Sequence, residues 1–199
     1  MHTSHLLYLH GFRSSPQSAK AQKMAATIQR DYPGVTWWCP QLPPSPRLAM
    51  AHIMAGISAW PDTEGFQGMA VVGSSLGGFY ATWVAEQMAC KAVLLNPAVH
   101  PARDLRPYIG ELSSWHAPGD RFFFKPEFID ELHTLELGFC GEPKNCLAVI
   151  AKGDEVLNWQ EMTARYEGGQ IVLLEGGDHA LSDFDDHLPA ILDFLKLAG

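Results

Sequence analysis

The chain has 199 residues, the size of one ordinary domain, and 47% of them are apolar, enough for a sizeable core and too many for a disordered chain. Its 14 basic and 22 acidic residues give a formal net charge of −8, with no Lys/Arg cluster of the kind a nucleic-acid binder presents. No apolar run approaches the ~20 residues that span a bilayer. Leu6–Leu9 is too short for a signal-peptide core and lacks a cleavage site, so a cytoplasmic protein with neither nucleic-acid nor membrane partners is expected.

Short apolar runs alternate with helical patterns, the signature of a parallel sheet covered by helices. Strands are predicted at Leu6–Leu9, Thr36–Cys39, Met69–Gly73, Ala92–Leu95, Leu147–Ala151 and Ile171–Leu174. Most are continuous apolar runs, as in strands buried on both faces. After the first strand, Ser15 is placed to cap a helix and Pro16 fits its first position. Ala21, Met24, Ala25 and Ile28 then recur at helical spacing. Further helices are predicted over Pro46–Trp60, Leu76–Met88 and Trp159–Tyr166.

From Pro97 to Asn145 the rhythm breaks. This segment is rich in aromatics (Tyr108, Trp115, Phe122, Phe123, Phe124, Phe128 and Phe139) and carries several prolines and glycines. It reads as an insertion above the sheet with one or two helices, Pro126–Leu135 being the better candidate. The closing pattern Leu188, Ile191, Leu192, Leu195 is helical, with Pro189 in the first turn. No internal repeat or low-complexity linker interrupts the chain. Residues 1–199 therefore read as one α/β domain of about six mainly parallel strands, helices on both faces, and a cap-like helical or loop insertion at 97–145. Cys39, Cys90, Cys140 and Cys146 lack C-x-x-C spacing and read as buried or unpaired thiols, although Cys140 and Cys146 could bridge in an oxidising compartment.

The most informative stretch is Val71-Val72-Gly73-Ser74-Ser75-Leu76-Gly77-Gly78, a G-x-S-x-G centred on Ser75, directly after a strand and before a helix. A nucleophilic serine needs its hydroxyl raised on a sharp turn, and glycines two positions either side let strand and helix approach. The alternative is a glycine-rich turn that only packs helix on sheet, and Ser74 is the competing serine, off the motif centre. A serine hydroxyl also needs a base and an orienting carboxylate, in the order Ser, Asp/Glu, His for this arrangement. Asp154 follows one predicted strand and His179 follows the next. All three residues thus fall at the carboxyl ends of parallel strands, where open α/β sheets place ligands.

Each partner has a rival. Glu155 shares the loop of Asp154, Asp178 adjoins His179, and His187 sits near a helix start. His2, His5, His52, His100, His116 and His133 do not cluster at ligand spacing, so no metal is expected. The first strand runs into Leu9-His10-Gly11-Phe12-Arg13. Acyl transfer needs two backbone N–H donors for the oxyanion; Leu76, after the nucleophile, and Phe12 are the candidates. Gly11 allows the tight path, His10 reads as structural, and Arg13 is either a solvated charge or a contact to a substrate carboxylate.

These stretches, with Leu95-Asn96-Pro97-Ala98-Val99, Gly153-Asp154-Glu155-Val156-Leu157 and Gly176-Gly177-Asp178-His179, resemble the α/β-hydrolase superfamily, and within it the small bacterial YqiA-like esterases. The resemblance covers nearly the whole chain. It implies Ser75 as nucleophile, Asp154 as acid, His179 as base, Phe12 and Leu76 as oxyanion donors, and Asn96 and Pro97 lining the substrate site beside Gly11 and Arg13. It brings no metal and no organic cofactor. A carboxylesterase acting on small acyl esters through an acyl-enzyme is the expected function. The alternatives are an acyl thioesterase, with Arg103, Arg106, Arg121 and Lys125 meeting an anionic leaving group such as coenzyme A, or a non-catalytic binding protein on the same fold.

Overall fold

The computed structural model describes residues 2–60, 68–117, 119–137 and 142–198. Six strands form one parallel sheet in the order β2-β1-β3-β4-β7-β8. They are β1 (His5–Leu9), β2 (Thr36–Trp38), β3 (Met69–Ser74), β4 (Lys91–Leu95), β7 (Cys146–Ala151) and β8 (Gln170–Leu174), with β5 (Gly110–Ser113) and β6 (Arg121–Phe124) forming a separate antiparallel hairpin. Every predicted strand is present, within a residue at each end.

Successive side chains of a strand point to opposite faces, and both faces of this sheet are covered. Leu7, Leu9, Val71, Leu94, Ala148 and Ile150 pack toward α2 (Pro46–Ser58), α3 (Leu76–Met88) and α6 (Trp159–Arg165). Leu6, Tyr8, Val72, Val93, Leu95 and Val149 pack toward α1 (Ala19–Asp31) and α7 (Phe184–Leu195). Burial on both sides is why β3 and β7 are enclosed along their whole lengths and why their sequences read as unbroken apolar runs. The chain leaves β1 toward β2 and returns beyond β1 to β3. The carboxyl ends of β1 and β3 therefore flank the crevice where strand order reverses.

Three local expectations are corrected. Helix α1 begins at Ala19, not at Pro16. Ser15 accepts a hydrogen bond from the Gln17 amide at 3.1 Å and its carbonyl receives the Ser18 amide, closing a turn ahead of the helix. Helix α7 begins at Phe184, whose ring is fully buried, so Pro189 lies inside the helix and not in its first turn. The insertion holds α4 (Pro101–Asp104) and α5 (Glu127–Thr134), but also the β5–β6 hairpin where only helix or loop was expected. The run Arg121-Phe122-Phe123-Phe124 hides its alternation because three successive residues are aromatic: Phe124 is buried while Phe123 is 55% exposed. Cys39 and Cys90 are free thiols, Cys146 is not, and Cys140 and Phe139 lie outside the described residues.

Candidate active site

Ser75 occupies the turn between β3 and α3 with φ 56° and ψ −121°, a left-handed conformation that a non-glycine residue adopts only when its surroundings impose it. The imposing contacts are close. A Cβ at Gly77 would lie 2.0 Å from the Leu9 carbonyl oxygen, so only glycine lets α3 rest against the end of β1. The Ser75 amide donates to the Leu95 carbonyl at 3.0 Å, fixing the turn to β4.

The loops after β7 and β8 complete the group. His179 Nε2 stands 3.0 Å from Ser75 Oγ, and His179 Nδ1 stands 2.7 Å from Asp154 Oδ2. An ionised carboxylate only accepts, so Nδ1 carries the proton and Nε2 is free to accept from the serine hydroxyl. The second Asp154 oxygen accepts from the Val156 and Leu157 amides at 2.8 and 2.7 Å. The Asp154 side chain is fully buried and that of His179 is 21% exposed, so the carboxylate accepts three hydrogen bonds away from solvent while the imidazole lines the cavity.

The rivals take other places. Glu155 accepts from the His179 backbone amide at 3.0 Å, steadying the residue without touching its ring. Asp178 is engaged by the Ser182 amide and hydroxyl, which hold its carboxyl below the usual range. His187 pairs with Asp183 on α7. His10 is buried beneath the first loop, its Nδ1 donating to the Gly11 carbonyl while Nε2 accepts from the Leu42 amide. With both nitrogens engaged as donor and acceptor, burial pulls its basicity below that of an ordinary imidazole.

Ser75 and His179 open onto a cavity of about 480 Å³ that Gly11, Phe12, Arg13, Leu76 and Ala98 also line. Among the described residues, the Phe12 and Leu76 amides donate to no protein acceptor, and both residues face this cavity. The Phe12 ring is gripped by the insertion, edge-on to Phe124 at 5.1 Å and to Tyr108 at 5.8 Å. A second cavity, of about 770 Å³, lies on the far side of the same loop beside Gln41–Pro44 and touches neither Ser75 nor His179.

Asn96 and Pro97 do not line the site. Asn96 is fully buried; its amide group donates to the Asp178 and His179 carbonyls and its oxygen accepts from the Ala151 amide at 2.8 Å. It brackets the His179 loop to the ends of β4 and β7, a positioning role that its place after a strand did not disclose. Pro97 packs against Gly78. Arg13 does line the cavity, but its guanidinium donates to Ser113 and stacks 4.0 Å over Trp115. Of the basic residues in the insertion, Arg103 is held by Asp104 and Glu161, Arg121 by Glu111, and Lys125 by Glu127. None of these, nor Arg106, lines the Ser75 cavity. No group of three or more His, Cys, Asp or Glu side chains among the described residues is arranged to hold a metal ion. No helix among them is long and apolar enough to cross a membrane.

A parallel sheet with a strained serine turn after β3, an acidic loop after β7 and a histidine loop after β8 is the α/β-hydrolase fold. Solved structures of that fold superpose over almost the whole chain. Est1E from Butyrivibrio proteoclasticus, bound to ferulic acid, aligns with a TM-score of 0.72 at 16% identity, covering 98% of this chain and 87% of Est1E. Mouse alpha/beta hydrolase domain-containing protein 10 aligns at 0.69 and 16% identity, over 97% and 91% of the two chains. Residues 5–196 match the uncharacterised protein family UPF0227, and the chain belongs to that family. A UPF0227 protein of Vibrio parahaemolyticus is 22% identical over 95% of this chain and 98% of its own length. One from Serratia proteamaculans is 25% identical over 96% and 99%.

Proposed function

We propose that the protein is a serine hydrolase that cleaves small acyl esters. The observation that carries this reading is the continuous hydrogen-bonded line from Asp154 through His179 to Ser75, beside the Phe12 and Leu76 amides, which donate to no acceptor among the described residues. In the proposed reaction Ser75 Oγ attacks the ester carbonyl while His179 Nε2 takes its proton. Asp154 keeps the imidazole in the required tautomer and stabilises the imidazolium. The Phe12 and Leu76 amides receive the developing oxyanion, where preorganised donors act without reorganising. Return of the proton from His179 to the leaving oxygen releases the alcohol. Water then repeats the sequence on the acyl-enzyme, and the carboxylic acid departs.

The fold of esterases and lipolytic enzymes among the similar structures supports a hydrolase, and the Asp154–His179–Ser75 contacts support a serine mechanism. The deciding experiment is labelling with a fluorophosphonate, followed by intact mass. One adduct is expected on the wild type, none on Ser75→Ala, and a much slower one on His179→Ala. Folded protein that takes no adduct would overturn the hydrolase reading in favour of a binding role.

A further inference from the structure

One side of the Ser75 cavity is polar in a way that the acyl-transfer chemistry does not use. Tyr8, Ser18, Lys20 and Ser74 line it, on β1, at the start of α1 and at the end of β3. Tyr8 is fully buried, and its hydroxyl lies near the Ser74 side chain without making a well-formed hydrogen bond. A buried hydroxyl left unpaired is a standing cost, removed when a ligand atom meets it. Ser18 occupies the N-cap of α1 without making a side-chain cap bond, and no acidic residue stands in that helix's first turn. The positive end of this 13-residue helix thus has no carboxylate of its own first turn to offset it.

Lys20 adds a full charge. It is half-buried, and no carboxylate among the described residues lies within ion-pair distance of it. Asp154 and Asp178 are the acidic groups that act on it through space; the first is bound to His179 and the second to Ser182. One Lys20 N–H donates to the Ala180 carbonyl, leaving two donors of the ammonium for a ligand. The charge therefore sits at the residue after His179, whose Nε2 would return the proton to the leaving oxygen in the proposed reaction.

We propose that Lys20, with the Tyr8 and Ser18 hydroxyls and the α1 N-terminus, forms a subsite for a carboxylate carried on the leaving alcohol of the substrate ester. This rests on the serine hydrolase reading, and it narrows the substrate class to esters of hydroxy acids. Arg13, the expected carboxylate contact, is engaged by Ser113 and Trp115, and Arg103, Arg106, Arg121 and Lys125 do not line the cavity. Among the described residues, Lys20 on the first helix lines the cavity with no ion pair and with ammonium donors to spare.

The test compares kcat/KM for three esters: 3-(butanoyloxy)benzoate, its neutral counterpart phenyl butanoate, and monophenyl succinate, which carries the carboxylate on the acyl side. The wild type should prefer 3-(butanoyloxy)benzoate over phenyl butanoate by about tenfold, as for a hydrogen bond to a charged group. That ratio should fall toward one in Lys20→Met, fall severalfold in Tyr8→Phe, and largely survive in Lys20→Arg. A wild-type ratio of one or less, a ratio untouched in Lys20→Met or Tyr8→Phe, or a preference for the succinate arm would overturn the proposal while leaving the hydrolase intact. If none of the esters is cleaved, the hydrolase reading fails, and calorimetric titration with 3-hydroxybenzoate and with phenol decides the subsite. Tighter binding of the benzoate, weakened in Lys20→Met, upholds it; equal binding of the two removes it.

Discussion

The two sides of Ser75 are built on different terms. Below it, Asp154, His179 and Asn96 are held at strand ends of one parallel sheet. Asp154 accepts three hydrogen bonds, His179 is held through its ring and its amide, and Asn96 ties the loops together. Above it, the loop after β1 is gripped by ring contacts of Phe12 and by the Arg13–Trp115 stack, with Trp115 itself 63% exposed. Hydrogen bonds made by a buried backbone leave few alternative arrangements, whereas aromatic contacts tolerate sliding and substitution. The floor is suited to chemistry that demands fixed geometry, and the roof to adjusting what is admitted.

Substitutions can break that contrast, the largest effects being expected on the floor. Gly77→Ala would force a Cβ to within 2.0 Å of the Leu9 carbonyl oxygen and 2.7 Å from that of His10, both backbone atoms that cannot step aside. A loss of stability of about 3 kcal/mol or more is expected from overpacking of this kind, read as a lowered urea midpoint. An unchanged midpoint would show that the floor yields.

Asp154→Asn should lower kcat by about 10⁴, the effect of the equivalent change in the template triad, with the urea midpoint near that of the wild type. Glu155→Ala, which removes only the acceptor of the His179 amide, should cost about tenfold at most. Glu155→Gln, which keeps an acceptor, should recover most of it. The reverse ranking would transfer the acid role to Glu155.

On the roof, Trp115→Ala releases the Arg13 guanidinium and should change KM by less than about tenfold, the scale of one exposed cation–π contact, with kcat nearly constant. A collapse of kcat would mean that the roof is as rigid as the floor.

The smallest and most specific effect is on pH. Burial lowers Lys20 to about 8, against the opposing influence of Asp178 and Asp154. Its ammonium is charged below that value and neutral above it. Preference for the carboxylate-bearing ester should therefore be full below pH 8 and decline as the pH rises through about 8. Phenyl butanoate, lacking the carboxylate, should show no such decline in that range.

The four inner strands were legible because strands buried on both faces must be continuously apolar, and α3 because it follows the glycine-flanked serine. Ser75, Asp154 and His179 were legible as a set because parallel strands bring their carboxyl ends to one edge, whatever the lengths of the crossovers. Motif order could not decide between Asp154 and Glu155, neighbours on one loop; the decision lies in which carboxylate reaches Nδ1 and which reaches the backbone. Nor could it separate Arg13, held by the hairpin, from Lys20, which carries no sequence mark beyond a place on an amphipathic helix.

The sequence alone determined the layers, the strand ends and the residue types at the crevice, since these follow from periodicity and from local backbone demands. Only the tertiary structure decided that Asn96 brackets the His179 loop, that the insertion carries a hairpin, and which cations remain free of acidic partners. Those outcomes depend on contacts between segments as far apart as α1 and the loop after β8, and distance in the chain leaves no local pattern to read.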